Sequence, residues 1–213
     1  AQTAVTVTLS TGQTINIAAG ATSGTVDIAA PTDDVYIDAS TVSRAISSAT
    51  GGNFESLTID PAAANTTVTD DSDATTVTLS ATPSVAEGGT IVYTATLSNA
   101  AQTPVSVTLS TGQTINIAAG ATIGTLSIAA PTEDMYVDAS TVSRTITSAS
   151  GGNFESLTIN PAAATTTVTD TIDTTTVSLT ATPSVAEGGS IVYTATLTNP
   201  AQTPVSITLS NGA

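Results

Sequence analysis

Ala81-Thr82-Pro83-Ser84-Val85-Ala86-Glu87-Gly88-Gly89 runs straight into Thr90-Ile91-Val92-Tyr93-Thr94-Ala95-Thr96-Leu97-Ser98, and its first nine residues return unchanged as Ala181 to Gly189. The second half alternates. Ile91, Tyr93, Ala95 and Leu97 fall on one side of an extended chain, and Val92, Thr94, Thr96 and Ser98 on the other. Successive strand residues point to opposite faces, so this is the pattern of a strand with one face in a core. Glu87-Gly88-Gly89 before it reads as the turn that feeds the strand.

The return belongs to a period of 100 residues. Ala-Gln-Thr stands at 1, 101 and 201, Gly-Gly-Asn-Phe-Glu-Ser-Leu-Thr-Ile starts at Gly51 and Gly151, and 79 of the first 100 residues recur 100 places later. Solenoid units are about 20–45 residues long, whereas a unit of about 100 residues is the size of a domain that folds alone. The chain therefore reads as like domains in tandem. Residues 1–73 are the C-terminal part of one, 74–173 a complete unit and 174–213 the N-terminal part of the next.

Within the complete unit, strand patterns recur between turn signals at intervals of about 8–12 residues, as in a sandwich. Strand A is expected over Thr75 to Ser80, B over Thr90 to Ser98, C around Val105, Val107 and Leu109, and D over Thr114 to Ile117. E is expected over Thr125 to Ile128, F over Met135 to Ile146 after the Pro131-Thr132-Glu133-Asp134 turn, and G over Phe154 to Val168 with an interruption at Pro161. The expected fold is all-β: tandem immunoglobulin-like β-sandwich domains of about seven strands each. Thr, Ser, Ala, Val and Ile dominate, Trp is absent, and two Phe and four Tyr make the core aliphatic.

Charge is one-sided: seventeen acidic residues face only Arg44 and Arg144, with no Lys or His, for a net −15. Such a surface repels nucleic acid and anionic membranes and attracts divalent cations. No run approaches the length of apolar residues that a membrane span needs, so no membrane insertion is expected. Cysteine is absent, which excludes disulfides and thiolate metal sites. With no His, Cys or Lys, no ordinary base stands ready to activate the many Ser and Thr hydroxyls, and no catalytic site is expected.

In an up-and-down count of seven antiparallel strands, the A–B, C–D and E–F turns share the pole where G ends. The acids fall there: Glu87 in A–B, Glu133, Asp134 and Asp138 in or after E–F, and Asp170 and Asp173 after G. Carboxylates converging in partial burial repel one another unless a cation lies between them. Oxygen donors in this number suit Ca²⁺, which takes about 6–8 oxygens in irregular geometry, better than octahedral Mg²⁺. Zn²⁺ is disfavoured without His or Cys. In the first unit the equivalents are Asp33, Asp34, Asp38, Asp70, Asp71 and Asp73, and the missing Glu has its counterpart in Glu187 of the tail. The alternative reading of the same acids is a solvated, solubilising surface. Asp170-Thr171-Ile172-Asp173 is poorer in acids than Asp70-Asp71-Ser72-Asp73, so the two junctions are expected to differ. Arg44 and Arg144 are expected to partner nearby acids such as Glu55 and Glu155.

The stretch from Val85 to Ser98, followed by Thr114-Ile115-Asn116-Ile117-Ala118-Ala119-Gly120 and closing on Thr167-Val168-Thr169-Asp170, resembles the Ig-like extender repeats of giant bacterial RTX adhesins of the LapA type, which include biofilm and ice-binding adhesins. The resemblance covers the whole chain. It implies secretion through a type I system, display at the bacterial cell surface and Ca²⁺-stiffened junctions between neighbouring repeats. The Glu of the first turn and the acids around F and after G also resemble Calx-β modules more distantly. No RTX nonapeptide occurs in these residues.

The expected function is that of a spacer projecting a distal binding domain, each unit adding roughly 35–45 Å from strand rise and loops. A second reading follows from residues 174–213 carrying the strands that 1–73 lack: either the boundaries are arbitrary, or the tail of one copy completes the head of the next, as in donor-strand addition. A glycan-binding module ranks third, because the loops repeat almost unchanged and carry few aromatics.

Overall fold

The computed structural model describes residues 1–210; residues 211–213, the last three of the expected tail, lie outside the described residues. The head contains β1 (Val5–Leu9), β2 (Thr14–Ile17), β3 (Ser40–Arg44), β4 (Ile46–Gly51) and β5 (Ala64–Val68). The middle unit contains β6 (Ala74–Ala81), β7 (Ser84–Ala86), β8 (Thr90–Leu97), β9 (Val105–Leu109), β10 (Thr114–Ile117), β11 (Ile123–Ala129), β12 (Ser140–Arg144), β13 (Ile146–Gly151), β14 (Ser156–Ile159) and β15 (Ala164–Thr169). The tail contributes β16 (Val177–Ala181) and β17 (Tyr193–Leu197). The described residues contain no helix, and the architecture is the expected all-β sandwich.

Two layers build the middle unit. One is the sheet β11-β8-β6-β14. The other consists of β10-β9-β13 and β12-β15-β7, in which β12 and β13 are successive halves of one long strand parted at Thr145. The first half pairs with β15 and the second with β9. The alternation in β8 has the consequence expected of it: Ile91, Tyr93, Ala95 and Leu97 are buried between the layers. Val105, Val107 and Leu109 of β9, Ile115 and Ile117 of β10, and Val168 of β15 close over them.

The sequence pattern and the observed strands part company in F and G. The F strand starts at Ser140 rather than Met135, and G is two strands in different layers, β14 and β15, separated by Asn160 to Ala163. Both join parallel partners: β14 runs along β6, and β15 along β7. The up-and-down count therefore fails. The physical reason is that β6 and β7 lie on opposite layers, so the chain switches sheets at Thr82-Pro83 and each half picks up one half of G.

The head and tail repeat this sequence without repeating all of its strands. Residues 23–29 and 56–59 are equivalent to β11 and β14 but form no strand, and residues 184–186 and 205–209, equivalent to β7 and β9, form none either. Every strand that is missing is one whose pairing partners have no equivalent in that part of the chain. Strand propensity is nearly constant at these positions, so partner pairing decides which segments become strands. Burial follows: Val77 and Tyr93 are fully buried, whereas Val177 is 50% and Tyr193 53% exposed.

Candidate functional site

Pairing of β7 with β15 builds the first acidic site. Thr167, Val168 and Thr169 face Ser84, Val85 and Ala86 in register, which sets the next residues, Glu87 and Asp170, side by side. The Glu87 amide donates to the Thr169 carbonyl at 3.1 Å, and the Gly88 amide to the Pro131 carbonyl at 2.7 Å. The Glu87 turn is thus pinned between the exit of G and the E–F loop. Gly88 has a φ of +69°, a conformation glycine adopts without strain, which allows the chain to turn there. A carboxylate oxygen from each of Glu87, Asp138 and Asp170 lies within 4.8 Å of the others.

Glu87 is only 6% exposed, and neither of its side-chain oxygens has a hydrogen-bond partner; Asp170 Oδ1 is likewise buried and unpartnered. A buried carboxylate without a donor is costly. The carboxylates of Asp138 and Asp170 gathered against it are acceptors when ionised, so a proton or a cation between them would satisfy it. A hydrogen bond to Asp138 that can form only when one of the pair is protonated is the main cause that pushes the Glu87 carboxyl up to about 7, followed by burial and the charges of Asp138, Asp170 and Asp134.

A second cluster lies at the exit of the head, where Asp33, Asp71 and Asp73 bring carboxylate oxygens within 4.8 Å of one another. Asp33 is raised chiefly by a side-chain hydrogen bond and the charge of Asp71. Asp38 lies nearby, its amide donating to Asp70 Oδ2 at 3.4 Å, and burial followed by the Asp34 and Asp70 charges raises its carboxyl. Asp38 and Asp70 are the head's equivalents of Asp138 and Asp170.

The remaining expected ligands divide by role. Asp34 and Asp134 accept the amides of Tyr36 and Tyr136 at 2.8 and 2.7 Å and shape the loop before F. Glu133 accepts the Thr171 hydroxyl at 2.8 Å, Thr171 standing where the head has Asp71. Glu133 and Asp173 join neither three-carboxylate cluster, and neither does Glu187, which is exposed in the tail. The acids thus form two separate groups, one within the middle unit and one at the head's exit, rather than a single ring.

Glu155 belongs at the junction, where sequence reasoning did not place it. Its Oε2 accepts the Asp73 amide, and its Oε1 is buried without a partner. The Asp73 amide holds its carboxyl down, but burial and the charges of Asp70 and Asp73 outweigh this and leave it raised. Arg44 and Arg144 do not take the acid partners expected of them; each donates from Nη1 to the carbonyl of the preceding serine at 2.9 Å. Arg144 lies instead near Tyr93, whose hydroxyl burial raises and Arg144 lowers.

The junction itself is tied by aromatic packing. The Tyr36 ring stacks on Phe154, its hydroxyl donates to the Ala100 carbonyl at 2.6 Å, and the Ile37 amide donates to the Asn153 carbonyl at 3.1 Å. Phe154 folds back over Gly152, which has a φ of +86° and no room for a side chain beneath the ring. At the second junction the Tyr136 hydroxyl donates to the Pro200 carbonyl at 2.9 Å.

The head has no counterparts of β6 and β8, and its apolar wall is uncovered on that side. Leu9, Ile15, Val26, Ile28, Ile46 and Val68 are among the residues lining a cleft of about 530 Å³ there. The equivalent space in the middle unit is filled by side chains of β6 and β8.

No curated protein matches the chain. The family model described as LapA domain matches residues 1–71, 73–171 and 173–213, nearly the full length in three successive copies. These three matches, on an all-β sandwich, lead to one assignment: the chain belongs to the LapA domain family.

Proposed function

We propose that the chain is an extender segment of a secreted bacterial cell-surface adhesin, serving surface attachment or biofilm formation by length and stiffness rather than by catalysis. Ca²⁺ at the unit exits supplies the stiffness. The observation that carries this reading is Glu87, buried with both oxygens unpartnered and facing two further carboxylates. Two oxygens on opposite sides of one Ca²⁺ stand at most about 4.6–5.2 Å apart, and the 4.8 Å spread of this cluster fits within that span. An ion there ties the turn before β8 and the approach to β12 to the residue that leads out of β15. Asp33, Asp71 and Asp73, with Glu155 of the following unit beside the linker, extend the same logic to the first junction.

The test is titration of the chain with Ca²⁺ and Mg²⁺, followed by melting temperature, in the natural sequence and in Glu87→Gln. Ca²⁺ is expected to raise the melting temperature more than Mg²⁺, and Glu87→Gln to remove the response of the middle unit. A natural chain whose melting ignores Ca²⁺ overturns the reading.

A further inference from the structure

We infer that the bond between Asp60 and Pro61 is a self-cleavage site, at which the Asp60 carboxylate attacks its own main-chain carbonyl in mild acid and cuts the chain. Residues 51–64 and 151–164 are identical except at one position, Asp60 against Asn160. The fold treats the two alike. Asp60 Oδ1 accepts the Ala62 amide at 2.9 Å, and Asn160 Oδ1 accepts the Ala162 amide at 2.9 Å. The turn is thus satisfied by an amide oxygen, and the carboxylate of the head adds a nucleophile that the turn itself does not require. Of the nine prolines only Pro61 follows an aspartate.

To reach the amide two residues on, the Asp60 side chain folds over the peptide bond to Pro61. Held there, its carboxylate is a tethered nucleophile, and attack on the Asp60 carbonyl carbon is intramolecular. A bond forms between a carboxylate oxygen and that carbon, closing a five-membered anhydride. The bond from the carbon to the Pro61 nitrogen breaks, and the nitrogen leaves with the electron pair and a proton taken from the acid. Water then opens the anhydride, so that one water is consumed for one peptide bond and Asp60 ends the first product with two carboxyl groups. Proline favours this course twice. Its nitrogen departs as a secondary amine, a base that is readily protonated, and it has no N–H with which to close the competing succinimide ring on the side chain. Asn160 precedes the same proline but carries no carboxylate, so its bond to Pro161 is expected to persist.

Water and acid have access to the bond. Pro61 to Ala63 are exposed, and so are Pro161 to Ala163 of the complete middle unit, which makes exposure a property of the unit's fold. The loop carries the chain between layers: β14 before it lies along β6, and β15 after it lies between β12 and β7. A cut at the equivalent place in the head leaves β5 antiparallel to β3, from Ser40 opposite Val68 to Arg44 opposite Ala64. Tension along the chain then passes through backbone hydrogen bonds in place of a peptide bond, and the head becomes the point at which the chain parts. That consequence rests on the extender reading; the cleavage does not.

The experiment holds the full chain at about pH 3, where protons for the leaving nitrogen are abundant, folded and separately in concentrated urea. Circular dichroism follows the fold, and intact mass spectrometry follows the products. Two fragments, residues 1–60 and 61–213, are expected to accumulate together, several-fold faster from the folded chain because the turn holds the nucleophile in place. Asp60→Asn should slow this cut by at least about tenfold, since the tethered nucleophile is gone while the turn is kept. Asn160→Asp should add a second cut, after residue 160, at a rate comparable to the first.

A folded natural chain that stays whole overturns the inference, as does an Asp60→Asn chain cut after residue 60 as fast as the natural one. A folded chain cut no faster than the chain in urea also overturns it, because the cleavage is then the ordinary lability of the bond and owes nothing to the turn. Ca²⁺ binding at the acidic clusters is read by melting rather than by fragment mass, so the two readings fail separately.

Discussion

Tyr36 and Phe154, 118 residues apart in sequence, stack across the first junction with ring centroids 5.7 Å apart and planes 23° from parallel. The Tyr36 hydroxyl donates to the Ala100 carbonyl at 2.6 Å, so one side chain of the head holds two loops of the middle unit. The following domain is therefore fixed by a packed contact as well as by the linker.

Removing the ring should loosen this contact without unfolding either unit. An aromatic pair contributes about 0.5–1.5 kcal/mol beyond burial, and a hydrogen bond about 0.5–1.5 kcal/mol. Tyr36→Ala is expected to broaden the distribution of particle lengths in small-angle scattering while the middle unit melts as before. Tyr36→Phe, which keeps the stack and loses the hydroxyl, should lie between the two.

Identical residues in the two copies of strand B should respond differently to the same substitution. Tyr93 is fully buried among the two layers, and Tyr193 is 53% exposed. Tyr93→Ala should destabilise the middle unit by about 3–5 kcal/mol, as truncation of a large buried aromatic does. Tyr193→Ala in dilute monomer should change its melting by less than about 0.5 kcal/mol, as at an open surface. Chemical denaturation of each variant reads both values.

The contrast marks what the sequence could and could not disclose. The alternation from Ile91 to Leu97 made β8 and its buried face legible, because a period of two is a local property. The three-residue β7 was not legible, since Ser84 to Ala86 becomes a strand only by parallel pairing with Thr167 to Thr169, about eighty residues on. That same pairing converts scattered acids into a site by placing Glu87 beside Asp170. Glu155 reads as a partner of Arg144, the one basic side chain of its unit; its actual partner, the Asp73 amide, is reached only once the two units are docked.

Acid should stabilise the ion-free protein. The Glu87 carboxyl is held at about 7 in the folded chain against 4.5 in the unfolded one. Below the unfolded value both states are protonated and the stabilisation is complete. As pH rises from there through about 7, the folded state must lose a proton that it binds more tightly, and stability falls. In chelator the natural chain should therefore melt lower at pH 8 than at pH 6, and Glu87→Gln should flatten that difference. Protons and Ca²⁺ compete for the same oxygens, so the Ca²⁺-induced rise should shrink as pH falls from 8 towards 5.

Neutralising the site should also separate its two costs. In chelator at pH 8, Glu87→Gln removes one of three mutually repelling charges and is expected to raise the melting temperature of the middle unit. In excess Ca²⁺ it removes a ligand and should lower it relative to the natural chain. Calorimetry in the two buffers shows whether the sign reverses; a loss of equal size in both would mean that Glu87 is a packing residue only.

The most direct measurement of the central claim is thermal unfolding joined to small-angle scattering of the full chain, first in Ca²⁺ and then in excess chelator. A ligand that binds only the folded state at about 100-fold over its Kd adds about 2.7 kcal/mol, on the order of 10 °C for a unit of this size. The extender reading predicts such a rise together with a longer, stiffer particle in Ca²⁺. Unchanged melting and unchanged dimensions would contradict it, leaving the acids as a solvated surface and the junction held by the Tyr36–Phe154 stack and the hydrogen bonds around it.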